Sequence, residues 1–267
     1  MTDPKFNKSA LTEKDGFRIE IDADHQRGDI ILDRAPMNVI EMSQRDELRA
    51  AFEALDGDDR VRVIVLRAEG EHFSSGGYIK GFLDASPEHV SHLADNIAAP
   101  WRCAKPVIVA NKGYTFGVGF EISLACDFRI AAKSTRYALP EQKLGQIPGS
   151  GGSARLQALI GLARTKDVVM RSRHISGQQA YNWGIAVELV EDDALADATD
   201  KLVRELCEFS PMAQRTAKKL LNDSENATVA TGIELEGHSY SRLRQSEDFA
   251  EGVKAFHEKR KPKFIGK

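Results

Sequence analysis

The sequence predicts an α/β fold in which short buried strands alternate with helices. Three runs of apolar and β-branched residues have the length and composition of buried strands, at residues 61–67, 105–110 and 128–132. A glycine-bearing turn follows each of the first two runs, and the second turn opens a helical segment. The order of strand, loop, helix and strand recurs without repetition of sequence. We therefore expect stacked strand-and-helix units rather than a formal repeat.

The N-terminal segment predicts a hairpin that leads into the first of these units. Residues 1–15 are polar, and we expect a loose tail there. Residues 17–21 alternate apolar and polar side chains, as a half-buried strand does. After a turn signal at residues 25–29, residues 30–32 are predicted to be the antiparallel partner of that strand.

Helices are predicted where apolar side chains recur at helical spacing. The first such stripe follows the hairpin and consists of Leu48, Ala51, Phe52 and Leu55. Ser86-Pro87 is typical of a helix start, since serine can cap and proline suits the first helical position. Helices dominate after Ser150, and Ser210-Pro211 predicts another helix start. The stripe just before that start consists of Leu195, Ala198, Leu202 and Leu206.

The chain is long for one domain and short for two. We expect a core domain over residues 16–208, which follows the tail, and a helical region over residues 209–267. The C-terminal helices are longer than a compact core needs, which favours a role for them in oligomer formation.

The composition is that of an ordinary globular protein. Of 267 residues, 42% are hydrophobic and 29% are charged. A formal net charge of −3 argues against nucleic-acid or acidic-membrane partners, because such binding needs a concentrated basic face. Three scattered cysteines indicate reduced thiols, and the polar N-terminus resembles neither a secretion signal nor a membrane span. We therefore expect a cytoplasmic protein.

Two glycine turns carry the first candidate chemistry. Gly76-Gly77 follows the first of the three buried strands, and Gly117-Val118-Gly119 follows the second and opens a helix. Glycine permits the bend that turns a backbone N–H away from its sheet, and a helix N-terminus adds a positive dipole end. Two such N–H groups that converge on one point form an oxyanion hole for a thioester carbonyl. Taken alone, each turn is more typical of an ordinary tight turn.

Two glutamates that follow the second turn change this balance. Glu121 lies among apolar residues of the predicted helix, where an ionised side chain is costly unless it is paired. Glu141 follows Pro140 in a loop, where a solvated charge is the simpler interpretation. Two buried carboxylates that face each other have their pKa values pushed apart, which gives one acid and one base near neutral pH. Such a pair suits the addition of water across a double bond activated by a carbonyl.

Other motifs predict less. Ser150 is not in a G-x-S-x-G pattern, which disfavours a serine hydrolase. The glycine run at residues 149–152 lacks the Lys-Ser/Thr of a phosphate loop, and we interpret it as a helix start. His89 and His92 could share a helix face, but no third ligand is evident and we expect no metal site. Tyr78 is equally typical of a packed side chain and of a substrate contact.

Four motifs in this order resemble those of the enoyl-CoA hydratase/isomerase (crotonase) superfamily, and the resemblance extends from about Phe17 to Phe264. They are FSSGGYIK at residues 73–80, GVGFEISLACD at 117–127, LPEQKLGQIPGSGG at 139–152 and EGVKAFHEKRK at 251–261. The resemblance implies a crotonase-like spiral of ββα turns with a C-terminal helical region that forms homotrimers or homohexamers. It also implies a coenzyme A thioester as the substrate, with no separate cofactor.

The resemblance assigns roles to individual residues. It implies that the backbone N–H groups of Gly77 and Val118 form the oxyanion hole. It implies that Glu121 helps to deprotonate a water that attacks Cβ, while Glu141 protonates Cα. The residues that it implies for substrate and CoA binding are Gly77, Tyr78, Ile79, Lys80, Phe256 and Lys259.

Two positions depart from the pattern of the family. Relatives usually carry glycine at the position of Val118 and aspartate at that of Tyr78, which indicates an unusual acyl group, such as a cyclic or aromatic one. The leading hypothesis is hydration of a 2-enoyl-CoA, or the reverse dehydration, in fatty acid or aromatic acid catabolism. Isomerisation, hydratase-lyase cleavage and C–C hydrolysis of a cyclic or aromatic acyl-CoA stay open, as does a binding protein without activity.

Overall fold

The computed structural model describes residues 13–83, 86, 90 and 93–267. The strands are β1 (Glu13–Lys14), β2 (Phe17–Asp22), β3 (Arg27–Leu32), β4 (Val63–Ala68), β5 (Val107–Asn111), β6 (Tyr114–Phe116), β7 (Phe128–Ala132), β8 (Arg136–Ala138), β9 (Ile175–Ser176) and β10 (Glu188–Val190). The helices are α1 (Met42–Asp56), α2 (Leu93–Ile97), α3 (Ala99–Arg102), α4 (Val118–Ala125), α5 (Gly152–Met170), α6 (Gly177–Asn182), α7 (Leu195–Cys207), α8 (Pro211–Ser224), α9 (Val229–Leu243) and α10 (Glu247–Glu258).

A seven-stranded sheet forms the centre of the fold, in the order β1-β2-β3-β4-β5-β7-β10. The hairpin strands β1, β2 and β3 pair antiparallel, and the remaining neighbours pair parallel. Parallel neighbours need crossover connections, and here helices supply most of them. The α/β class and the predicted strands are confirmed, with ends shifted by a few residues. β3 begins at Arg27, inside the predicted turn, because its pairing with β2 continues to Asp22.

Several short strands were not predicted. β6, β8 and β9 form a second sheet of three strands, each only two or three residues long. β1 is equally short and pairs with the start of β2, so ordered backbone is present at Glu13–Lys14, within the predicted tail. Strands of this length carry too few residues to show an alternating pattern. Of the helix predicted after Ser86-Pro87, residues 87–89 and 91–92 lie outside the described residues.

Apolar side chains fill both faces of the central sheet. The stripe of α1 is buried against one face, and the stripe predicted on α7 packs against the other. α4 lies between the first of these clusters and a further cluster around α5: Val118 and Ile122 belong to one, Phe120 and Leu124 to the other. All of its residues are buried, so a polar side chain on α4 is enclosed by protein.

The C-terminal helices are joined to the core by a buried lysine on α8. Lys218 Nζ lies 2.7 Å from Asp127 Oδ2 and donates to the carbonyl oxygens of Pro100 and Lys105, at 2.8 Å and 3.0 Å. Ser210 caps α8, as predicted. The helices after it leave apolar side chains exposed, among them Val229, Ile233, Tyr240, Val253 and Phe256. The domain boundary and the oligomer stay predictions. In the part of the chain that is described, no helix has the length and apolar character needed to cross a bilayer.

Candidate active site

The first glycine turn is fixed by backbone bonds on both sides of Gly77. Ile40 N–H donates to Gly76 O at 2.9 Å, and Tyr78 N–H donates to Ile40 O at 3.2 Å. In this parallel bridge the bonds to Ile40 come from the residues that flank Gly77, so the N–H of Gly77 itself points away from Ile40. Ser74 Oγ stabilises the turn, since it accepts a hydrogen bond from Gly76 N–H at 3.1 Å.

The second glycine turn lies directly against the first. Gly117 has φ 50° and ψ −127°, a backbone conformation that side chains disfavour, and it precedes α4. A Cβ on Gly117 would lie 3.7 Å from the Cα of Gly76, so the two turns are in van der Waals contact. Val118 is the first residue of α4, and its N–H therefore has no acceptor within the helix and lies at the positive end of the helix dipole. Gly119 leaves room for Ser74, because a Cβ there would lie 2.7 Å from the Cβ of Ser74.

Glu121 is buried and held by the start of α5. Its Oε1 accepts from the N–H of Ser150 at 2.7 Å and from that of Gly152 at 3.2 Å. Burial raises the pKa of Glu121 above its ordinary value, and the two backbone donors and the charge of Arg45 oppose that rise. The glycine run at residues 149–152 begins a helix, as predicted, and its N–H groups also orient this carboxylate.

Glu141 lies beside the second turn at the start of a short 3₁₀ helix, Glu141–Leu144. Its Oε1 would be 3.2 Å from a Cβ on Gly117, and its Oε2 is buried without a hydrogen-bond partner among the described residues. Burial raises the pKa of Glu141 to about 7, and the nearby charge of Glu121 adds to the rise. A carboxyl group with a pKa near neutrality can both donate and accept a proton at neutral pH.

A buried arginine at this site was not predicted. Arg45 lies on α1, and only 4% of its surface is exposed. Its Nη1 donates to Ser150 Oγ at 3.4 Å, and its Nη2 lies 3.3 Å from the position of a Cβ on Gly77. The helical spacing contains a signal for it, because Arg45 lies three residues before Leu48 on the buried face of α1.

The proposed CoA-binding residues fall into two groups. Tyr78, Ile79 and Lys80 directly follow Gly77 on the surface, with the last two in a 3₁₀ turn. Phe256 and Lys259 lie at the C-terminal end of α10, and Phe256 is 82% exposed. Within the described residues, the structure gives these two no contact with either glycine turn or either glutamate. It thus brings Gly77, Val118, Glu121 and Glu141 together around Gly117.

Among the residues described, no group of three or more His, Cys, Asp or Glu side chains is placed to hold a metal ion. His89 and His92, for which the sequence predicted no metal site, lie outside the described residues.

Comparison with known proteins places the chain in a family. Residues 28–267 match the enoyl-CoA hydratase/isomerase family model. A carnitinyl-CoA dehydratase of Salmonella arizonae is 34% identical over 249 residues, which cover 89% of this chain and 94% of the relative. A crystal structure of an enoyl-CoA hydratase subunit from Geobacillus kaustophilus superposes with a TM-score of 0.90 at 31% identity, over 97% of this chain and 100% of the other. An enoyl-CoA hydratase from Bacillus anthracis gives 0.88 at 31% identity, over 94% and 100% of the two chains. The chain therefore belongs to the enoyl-CoA hydratase/isomerase (crotonase) superfamily, as a hydratase- or dehydratase-type lyase that acts on acyl-CoA thioesters.

Proposed function

We propose that the protein adds water to a 2-enoyl-CoA thioester, or removes it in the reverse direction, with Glu121 and Glu141 as the acid–base pair. The observation that carries the proposal is the difference between the two carboxyl groups. Two backbone N–H groups hold Glu121 as an acceptor, whereas Glu141 has a buried oxygen without a partner and a pKa of about 7. The two N–H donors favour the ionised form of Glu121 against the burial that raises its pKa, so we assign the base to Glu121 and the acid to Glu141.

The thioester oxygen accepts hydrogen bonds from the N–H groups of Gly77 and Val118. Water between the glutamates loses a proton to Glu121 as its oxygen bonds to Cβ, and the electrons of the double bond move toward the thioester oxygen. The resulting enolate is stabilised by the two N–H groups, each worth about 3–4 kcal/mol in such a hole. Glu141 then gives its proton to Cα, which completes the 3-hydroxyacyl product.

Residues outside this centre bind the CoA moiety. Tyr78, Ile79 and Lys80 follow the first donor on the surface and run along the pantetheine arm. Phe256 and Lys259 contact the nucleotide from a neighbouring subunit, in a homotrimer or homohexamer. Coenzyme A is part of the substrate, and no separate cofactor takes part. A cytoplasmic location stays a prediction.

The test is turnover of 2-enoyl-CoA substrates by the purified protein. The assay follows loss of the conjugated thioester absorbance with crotonyl-CoA and with longer, cyclic, aromatic and acidic acyl groups, and mass spectrometry identifies the product. Hydration adds one water, isomerisation leaves the mass unchanged, and lyase cleavage shortens the acyl chain. Absence of hydration with every acyl group contradicts the proposal.

Glutamine substitutions test the acid–base pair. Glu121→Gln and Glu141→Gln should each lower kcat about 10²- to 10⁴-fold, the range that general acid–base catalysis supplies, while the affinity for a CoA thioester is retained. Glu234→Gln, at an exposed position on α9, is the matched control. A glutamine variant at either site that turns over as fast as this control would remove that residue from the mechanism.

A further inference from the structure

We propose that Arg45 selects an acyl group that ends in a carboxylate. This inference rests on the function proposed above and names its substrate class, the 2-enoyl monothioester of a dicarboxylic acid. Arg45 is then a specificity-determining residue, which recognises the far end of the acyl group rather than the reacting carbons.

The first argument is that the guanidinium group of Arg45 is buried with few partners. Only 4% of the residue is exposed. A guanidinium has five N–H donors, yet among the described residues this one makes a single long hydrogen bond, at 3.4 Å, to Ser150 Oγ. Its Nε is buried without a partner among the described residues. A buried charge with so few partners is costly, so the remaining donors form a site for an anionic ligand group.

The second argument is the position of the group. Nη2 of Arg45 lies against Gly77, on the turn that holds the thioester oxygen in the proposed complex. Nη1 lies against Ser150, whose N–H donates to Glu121. The guanidinium therefore lies between the turn of Gly77 and the loop that holds Glu121. In the proposed complex the acyl carbons lie beside the same turn and the same carboxylate, and we infer that a substituent beyond Cβ reaches the arginine.

The third argument is the balance of charge around the pocket. Glu121 is not ion-paired with Arg45, because its Oε1 is held by the N–H groups of Ser150 and Gly152. A second cation, Arg155, donates to the carbonyl oxygen of Ser150 at 3.3 Å. The other acidic group, Glu141, is partly protonated at neutral pH because burial raises its pKa to about 7. The charge that acts on Arg45 is that of Glu121, whereas the largest charge that acts on Arg155 is that of Glu225. The N–H donors of Arg45 that have no partner among the described residues suit a carboxylate, which arginine binds through two parallel hydrogen bonds.

Arg45 has one competing explanation, a structural counter-charge that keeps Glu121 ionised. A counter-charge affects every acyl group equally, whereas a specificity residue changes the ratio between anionic and neutral acyl groups. The experiment therefore measures that ratio, first in binding and then in turnover.

The binding experiment uses two saturated thioesters that cannot be hydrated, glutaryl-CoA and butyryl-CoA, which differ by a terminal carboxylate. Titration calorimetry on the wild type should give a Kd for glutaryl-CoA that is about 10- to 100-fold lower, the range expected for charged hydrogen bonds. Arg45→Met should abolish this preference, and Arg45→Lys should keep part of it. Methionine is a fair replacement, because an apolar side chain of similar size is often tolerated in place of a buried charge. Thermal melting checks that each variant is folded.

Equal Kd values for the two thioesters in the wild type would overturn the proposal, as would a preference that survives in Arg45→Met. In turnover, the matching substrates are glutaconyl-CoA and crotonyl-CoA, with the cationic crotonobetainyl-CoA as a third, which Arg45 should repel. A binding preference without hydration of any of them supports the role of Arg45 and removes the proposed function. Hydration of crotonyl-CoA without a binding preference for glutaryl-CoA supports the proposed function and removes the role of Arg45.

Discussion

One added methyl group at Gly152 tests whether the orientation of Glu121 matters. Gly152 is the first residue of α5, and its N–H donates to Glu121 Oε1 at 3.2 Å. A Cβ at this position would lie 2.9 Å from Glu121 Cγ, 3.1 Å from its Oε1 and 3.1 Å from Leu139 Cδ2. Since real Cβ atoms essentially never approach another atom more closely than 3.0 Å, either the glutamate or the start of α5 must move.

The size of the effect follows from these contacts. A shift of Glu121 weakens at least one hydrogen bond to its charged form, and such bonds are worth about 1.5–3 kcal/mol. Misplacement of a catalytic group by about 1 Å can cost about 10²-fold in rate, so we expect kcat of Gly152→Ala to fall about 10- to 100-fold. An overpacked core costs about 1–3 kcal/mol, and replacing glycine at a compatible backbone position returns about 0.4–1 kcal/mol. The free energy of unfolding should therefore fall by no more than about 2.6 kcal/mol.

The assay is hydration of crotonyl-CoA, or of the best acyl group found, beside a thermal melt of each variant. Gly149→Ala is the matched control in the same loop, because no atom of the described residues lies within 4 Å of a Cβ there and φ is outside the left-handed range. Its free energy of unfolding should rise by no more than about 1 kcal/mol. Its activation free energy should change by less than about 0.5 kcal/mol, as is usual at open positions. If Gly152→Ala is as active as Gly149→Ala, the link between the start of α5 and catalysis is wrong.

Two further predictions concern Glu141 and the second glycine turn. In the proposed mechanism hydration needs Glu141 protonated, and its pKa is about 7, so kcat/KM should fall above about pH 7 and the residual activity of Glu141→Gln should lack that fall. Because of the raised pKa, the folded protein keeps a proton on Glu141 up to about pH 7, whereas the unfolded chain releases it near pH 4.5. The free energy of unfolding therefore falls as the pH rises from about 4.5 to 7. Relative to wild type, Glu141→Gln should have a higher melting temperature at about pH 8 than at about pH 5. Gly117→Ala should lower both activity and melting temperature, because its Cβ would meet Glu141 Oε1 at 3.2 Å in a backbone conformation that costs about 1–3 kcal/mol. Gly145 also has positive φ, but no atom of the described part of the chain lies within 4 Å of a Cβ there, so Gly145→Ala should lower only the melting temperature. Equal loss of activity in Gly117→Ala and Gly145→Ala would contradict the steric argument.

Local patterns predicted the parts of the fold whose burial is visible in a short window. The β-branched runs of β4 and β5 and the apolar stripe of α1 are examples, as is the apolar run that surrounds Glu121 on α4. The two- and three-residue strands of the second sheet leave no such pattern, because their pairing depends on segments far away in the chain.

The site divides in the same way. The environment of Glu141 could not be predicted from its loop, because Gly117 and Glu121, which create it, come from another element. Arg45 could have been found, since it extends the buried stripe of Leu48 and Phe52 toward the start of α1. The small number of hydrogen bonds made by its guanidinium N–H groups could not be predicted, because it depends on where Ser150 and Gly77 lie in the folded chain.

The bridge between Ile40 and Gly77 has a consequence for how such an enzyme can change. In the proposed complex the donors to the thioester oxygen are main-chain N–H groups, so an exchange of the side chain at those positions, other than to proline, retains them. On this proposal, selection for a new acyl group can act on Arg45 or Tyr78 while the stabilisation of the enolate persists. A library randomised at these two positions should yield altered substrate preferences more often than loss of the reaction itself.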